Sequence, residues 1–269
     1  MKIISKKRKL EEVLKGYRNL GFVPTMGGLH TGHISLIKKS IIQCEKTIVS
    51  IFINKPQFNQ KKDYMKYPRV IKKDIKKLEN LRVDFLYLPR HKEIYPKGIN
   101  KSIKINPFGR QLCGKKRPGH FEAVADVIDR FIKIIKPKKI YFGEKDMQQL
   151  KIMDEFIKKN HPYTKVIPCR TIREKNGIAM SSRNYLLSFN EKIIASKIFK
   201  LLISKKQSLI KDKISLIKLK DKIIKLGAKK IDYINIIDIN KIIKPYKKKK
   251  IFKIFIAYYL GSVRLIDNI

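Results

Sequence analysis

Two histidines separated by Thr31 and Gly32 end the stretch GFVPTMGGLHTGH, Gly21 to His33. A short apolar strand here runs into a glycine-rich turn that opens a helix, an arrangement suited to holding an anion. The helix starting near Gly32 offers unpaired N–H groups and the positive end of its dipole, while Gly27, Gly28 and Gly32 let the backbone come close to a ligand. At a helix start the imidazoles of His30 and His33 can face one side, so two donors converge on one anion. The spacing matches neither GxGxxG nor GxxxxGK(S/T), which disfavours an ordinary dinucleotide fold and a P-loop NTPase.

The elements around this turn repeat. Apolar periodicity predicts a helix over Lys7 to Leu20, a strand Gly21 to Thr25, a helix Gly32 to Glu45 and a strand Lys46 to Ile53. A helix over Val70 to Asn80, a strand Val83 to Leu88, a helix Glu122 to Ile135, a strand Lys139 to Phe142, a helix Asp146 to Lys159 and a strand Lys165 to Cys169 follow. Such alternation implies βαβ units and a mostly parallel, doubly wound sheet covered on both faces, an α/β fold. Beyond about Arg173 the texture changes. Ser188 and Glu191 form a capping-box signature ahead of a helix with Ile194, Ile198, Leu201 and Leu202 on one face. A second helix up to Gly227 and two strands, Ile231 to Ile237 and Ile251 to Leu260, complete a smaller α+β domain. The lysine run Lys244 to Lys250 reads as the solvated turn between those strands.

With 269 residues, one large domain or two smaller ones are expected at about 150 residues per domain. No apolar run approaches the roughly 18 residues that span a bilayer, and MKIISKKRKLEEVL lacks the apolar segment of a secretory signal. A cytoplasmic protein without a membrane partner is the expectation. Cys44, Cys113 and Cys169 are odd in number and far apart, which points to neither a disulfide framework nor a zinc site. The net charge of +42 could attract nucleic acid or another polyanion. The lysines are, however, interleaved with isoleucine and asparagine along the whole chain, the signature of A- and T-rich codons, and no specific nucleic-acid motif accompanies them.

HTGH resembles the HxGH signature of nucleotidyltransferases that form adenylates or cytidylates. Its surroundings are more specific: PTMGGLHTGH closely resembles the fingerprint of the pantothenate synthetase (pantoate–β-alanine ligase) family. SIFINKPQF (Ser50 to Phe58), YPR (Tyr67 to Arg69), RPGHF (Arg117 to Phe121), FGEKDMQQL (Phe142 to Leu150), GIAMSSRNYL (Gly177 to Leu186) and RLIDN (Arg264 to Asn268) look like further family blocks in the same order, so the resemblance covers essentially the whole chain.

The resemblance implies a Rossmann-like nucleotide- and pantoate-binding domain over residues 1–174 and a smaller lid-like C-terminal domain over residues 175–269, in a cytoplasmic homodimer. It implies ATP-dependent condensation of (R)-pantoate with β-alanine, through a pantoyl adenylate, to pantothenate, AMP and pyrophosphate. His30, His33, Lys145 and Arg183 would be the catalytic cationic donors. ATP would contact Met26, Gly27, Gly28, Leu29, His30, Thr31, Gly32, His33, Gly143, Glu144, Lys145, Asp146, Ile172, Met180, Ser181, Ser182 and Arg183, with Asp146 on the ribose and Met26 and Met180 near adenine. Gln57 and Gln149 would hold pantoate or β-alanine. Mg²⁺ would accompany the triphosphate. Where the family often has adjacent acids after YPR, this chain has Lys73 and Asp74, leaving Asp74 as a weak metal ligand or a helix-surface residue. Asn54-Lys55-Pro56-Gln57 shifts the family's proline by one, and Glu122, Ala123 and Asp126 depart from the usual residues, at the helix start or on a dimer surface. Two alternatives stay open: a related nucleotidyltransferase with another acceptor, and a basic polyanion-binding protein on an enzyme-like scaffold.

Overall fold

The structure is a computed structural model that describes residues 1–211 and 215–269. It divides into two compact units, one of Met1–Glu144 with Gln148–Arg170, the other of Lys145–Met147 with Thr171–Ile269.

The first unit contains six strands: β1 (Lys2–Ile4), β2 (Leu20–Thr25), β3 (Lys46–Ile51), β4 (Phe85–Tyr87), β5 (Lys139–Gly143) and β6 (Lys165–Cys169). They lie in the order β1-β4-β3-β2-β5-β6, and every pairing is parallel. Between them run α1 (Lys7–Leu14), α2 (Thr31–Gln43), the short α3 (Lys61–Lys66), α4 (Ile71–Asn80), the short α5 (His91–Ile94) and α6 (Leu112–Lys116), α7 (His120–Ile135) and α8 (Met147–Asn160). This is the Rossmann-like, doubly wound sheet that the alternation of strands and helices implies. Helix α1 is shorter than its periodicity suggests, because the chain turns at Gly16, where φ is +98°.

Alternate side chains of the central strands feed two cores. Val23 and Val49 pack with Leu36, Ile37 and Leu78 on one face, and Phe22 meets Phe131 of α7 at a ring separation of 5.4 Å on the other. Strand order reverses at β2, with β3 on one side and β5 on the other. The crevice outside the carboxyl ends of strands at such a switch point is where open α/β sheets bind ligands. Helix α2 lies very close to β2 there. A Cβ on Gly21 would fall 2.2 Å from Ser40 Oγ, so only glycine permits this approach.

The second unit contains α9 (Phe189–Ile210), α10 (Leu216–Lys225) and an antiparallel sheet β7-β8-β9 of Lys230–Asp238, Phe252–Leu260 and Val263–Asn268. The capping box expected at α9 is formed: Glu191 N donates to Ser188 Oγ at 3.2 Å and Ser188 N to Glu191 Oε2 at 2.8 Å. Ile198, Leu202, Ile223, Ile254, Ile256 and Leu260 fill the core. Strands β7 and β8 are the expected hairpin, and Lys244 to Lys250 are all exposed in its connection. Strand β9 is additional to the sequence reading. Among the described residues no helix is long and apolar enough to cross a membrane.

Candidate active site

The turn at the carboxyl end of β2 is built from backbone groups already in use. Gly27 N donates to Thr25 Oγ1 at 3.2 Å, and Thr25 Oγ1 in turn donates to Ser50 O at 2.7 Å. Gly28 N and Leu29 N donate to the two carboxylate oxygens of Asp74 at 2.8 and 2.9 Å. Gly27 and Gly28 both take positive φ, +81° and +63°, and a Cβ on Gly27 would lie 3.1 Å from Asp74 Oδ2. The sequence reading offered the amides of this turn to an anion. In the structure the N–H groups of Gly27, Gly28 and Leu29 are not unpaired: each has an acceptor within the chain, and the glycines serve the turn's curvature and its closeness to Asp74.

The histidines form a reciprocal cap at the start of α2. Gly32 N donates to His30 Nδ1 at 3.1 Å, and His30 N donates to His33 Nδ1 at 3.4 Å. The rings lie 4.1 Å apart, centroid to centroid. A nitrogen that accepts a backbone N–H cannot carry a proton there, so each ring holds its proton on Nε2. In both imidazoles Nδ1 is thus engaged with a backbone N–H, and Nε2 is the nitrogen left to donate. Both are half-buried, as are Met26 and Gly32, while Thr31 is exposed.

Asp74 does not lie on a helix surface. It is 1% exposed, on the same face of α4 as the buried Leu78, and one turn further on Lys77 Nζ donates to Leu29 O. Among the described residues no group of three or more His, Cys, Asp or Glu side chains is placed to hold a metal ion. Both oxygens of Asp74 accept from amides, and the described residues present no built cage for Mg²⁺. An ion that keeps its waters and rides on phosphate oxygens needs none.

Gln57 sits in a single tight turn, Lys55–Gln57, whose second residue Pro56 needs no N–H at that position. Its carbonyl accepts from Arg117 Nη2 at 3.0 Å and from His120 Nδ1 at 2.9 Å, and its Oε1 accepts from Asn54 Nδ2 at 3.1 Å. Asn54 also donates to Ala123 O and accepts from Tyr95 OH at 2.7 Å. Burial pushes the Tyr95 hydroxyl far above its ordinary range, so it stays protonated and donates. Asp126 is buried, 3% exposed, and pairs with Arg130 Nε at 2.6 Å. Arg130 lies over the Tyr95 ring at 4.6 Å. Asp126 thus faces inward and braces the segment that holds Asn54, which differs from the helix-start or dimer-surface role read from sequence. Gln149, near the start of α8, is half-buried. Its neighbour Gln148 is a packing residue, donating to Phe108 O and Gln111 O.

Strand β5 ends at Gly143, and one tight turn, Glu144–Asp146, follows. Lys145 belongs to the second unit, where its carbonyl accepts from Asn268 Nδ2 at 2.8 Å and its Nζ lies 3.8 Å from Asp146 Oδ1. The other second-unit candidates share one loop. Met180 N donates to Ile172 O at 2.9 Å, closing the segment. Ser181 Oγ accepts from Arg183 N at 3.2 Å, and Asn184 Nδ2 donates to Glu174 Oε1 and Ala179 O. Arg173 anchors the loop to β9 through Asp267, at 2.6 and 2.9 Å. The structure therefore brings together His30 with His33, Gly28 and Leu29 with Asp74, and Ile172 with Met180.

A family model described as pantoate–β-alanine ligase matches residues 2–269. The chain belongs to the pantoate–β-alanine ligase family. A pantothenate synthetase of a Sulfurihydrogenibium species is 38% identical over 261 residues, 94% of this chain and 92% of that protein. One of Clostridium botulinum is 39% identical over 272 residues, 100% of this chain and 95% of that protein. Among solved structures, a pantoate–β-alanine ligase from Francisella tularensis complexed with β,γ-ATP and β-alanine is similar at 38% identity and a TM-score of 0.88, covering 100% of this chain and 97% of that one. Pantothenate synthetase from Thermus thermophilus gives a TM-score of 0.88 at 29% identity, covering 100% and 99%.

Within this pantoate–β-alanine ligase scaffold, sequence reasoning named or quoted several residues, Asp74 among them, without reading the contacts by which they hold others in place. Asp74, Arg173, Asn184, Asp267 and Asn268 each grip a motif residue or its loop through a bond that only the fold creates. One signal for Asp74 was present: an acid between Ile71, Ile75 and Leu78 lies on the apolar stripe of α4.

Proposed function

We infer that the chain joins pantoate to β-alanine at the expense of ATP, releasing AMP and pyrophosphate. A carboxylate oxygen of pantoate attacks the α-phosphorus of ATP and pyrophosphate leaves. The amine of β-alanine then attacks the acyl carbon of the pantoyl adenylate and AMP leaves. The first step gathers several negative charges, and preorganised donors aimed at them lower its barrier.

The observation that carries this reading is the pair of imidazoles locked as Nε2–H donors at the carboxyl end of β2, where strand order reverses. We assign His30 and His33 to phosphate oxygens as neutral donors, and Lys145 and Arg183 as the cations that balance charge. Ser181 and Ser182 add hydroxyl donors, Asp146 serves the ribose, and Met26 and Met180 flank adenine. Gly143, Glu144 and Ile172 line the nucleotide. Gln57, held at its carbonyl by Arg117 and His120, and Gln149 bind pantoate, because an amide both donates and accepts. Mg²⁺ arrives on the triphosphate with its own waters. We further propose a cytoplasmic homodimer, in line with the family resemblance, testable by sedimentation.

The deciding experiment incubates the protein with ATP, Mg²⁺, pantoate and β-alanine. AMP must appear in step with the amide product. ADP would mean an acyl phosphate and would refute the adenylate route, and ATP–pyrophosphate exchange that ignores pantoate would reveal a different acceptor.

A further inference from the structure

We propose that Asp74 is a positioning residue for the nucleotide step: its carboxylate braces the turn that aims His30 and His33, and it is not a ligand of the metal that accompanies ATP. The proposal rests on the assignment of those two rings to the triphosphate. An acid buried to 1% exposure must be satisfied by donors, and here two consecutive backbone amides, Gly28 N and Leu29 N, take one carboxylate oxygen each at 2.8 and 2.9 Å. Lys77, one helical turn away, grips the same segment from its other side by donating to Leu29 O. The Leu29 side chain is itself buried in the hydrophobic cluster that contains Leu78 of α4. One face of α4 thus fixes both polar edges and the apolar body of the turn.

His30 follows Leu29 directly and is the residue that caps α2. Its ring and that of His33 are joined through the two Nδ1 contacts, so any shift of Leu29 is passed to both Nε2–H donors. Gly27 lies so near Asp74 Oδ2 that a side chain there would crowd it. A carboxylate engaged in this way directs one lone pair of each oxygen at a backbone amide, and the amides it occupies are withdrawn from the phosphates. The donors left for the nucleotide are the side chains that the brace orients.

Asp74→Asn keeps the shape but sets an NH₂ group against one of the amides. It should lower kcat/KM for pantoate-dependent ATP–pyrophosphate exchange by about 10²-fold, the scale of a misplacement of about 1 Å, while the KM for β-alanine is unchanged. Raising Mg²⁺ or Mn²⁺ should not recover the loss, and ATP affinity measured by calorimetry in EDTA should weaken as much as it does with Mg²⁺. Recovery by excess metal, or normal metal-free affinity, overturns the proposal. If Asp74→Asn does not fold, the wild-type protein decides. Without nucleotide or metal, the amide protons of Gly28 and Leu29 should exchange slowly with solvent, and Lys77→Met should lose exchange activity with the same indifference to metal. Fast amide exchange, or metal rescue of Lys77→Met, refutes the brace. Full exchange activity in His33→Ala would instead overturn the assignment of the imidazoles and leave the amide result standing.

Discussion

His33 has two separable tasks. Its Nδ1 accepts the His30 amide, and its Nε2–H is the donor assigned to a phosphate oxygen. His33→Ala removes both and should cost about 10²–10³ in the rate of pyrophosphate exchange, together with about 1 kcal/mol of stability from the lost cap. His33→Asn supplies an acceptor close to the backbone but does not reach where Nε2 stood. Thermal unfolding should return to the wild-type midpoint while the rate stays low, and an asparagine variant that recovers both would show that the ring only caps the helix. The HTGH motif announced the residues but not the atoms, because the reciprocal cap depends on backbone direction at Leu29. The burial of Asp74 was not legible for another reason. Acids are rarely buried unless paired, and its partners are amides 45 and 46 positions away in sequence.

At the scale of elements, the sheet was largely legible, because short runs rich in β-branched residues, such as Thr47 to Ile51, leave little choice for a buried parallel strand. Strand β1 has only three residues, too few to show a period. Strand β9 was passed over although Gly261-Ser262 between apolar runs is a hairpin signal. That omission concealed a connection to the site, since β9 carries Asn268, whose side-chain amide holds the Lys145 carbonyl, and Asp267, which pairs with Arg173. Asn268→Ala should slow turnover because Lys145 loses its fixed backbone, at a cost of about 1 kcal/mol in stability for one hydrogen bond. The double variant Asn268→Ala/Lys145→Met separates this from general weakening. If Asn268 acts through Lys145, the pair should be no slower than Lys145→Met alone, and additive losses would assign Asn268 to packing.

For the whole molecule the governing quantity is charge. With 64 Lys and Arg against 22 Asp and Glu, the chain carries +42, distributed along its length and not gathered in one arm. Composition alone left open whether this charge served a polyanion partner, and the pantoate–β-alanine ligase family gives it a nearer consequence, since two substrates are anions and the third, β-alanine, is a zwitterion of zero net charge. A field of this sign raises the encounter rate with ATP and pantoate and leaves β-alanine indifferent. Raising KCl from about 0.01 M to about 0.15 M shortens the screening length from about 30 Å to about 8 Å. Over that range kcat/KM for ATP should fall steeply while kcat holds, because the bound nucleotide is stabilised by short contacts that salt screens far less. The same titration with β-alanine as the varied substrate should leave kcat/KM flat. A parallel fall for β-alanine, or a fall in kcat, would mean that salt acts on the folded site itself and that the excess lysines do not guide anionic substrates.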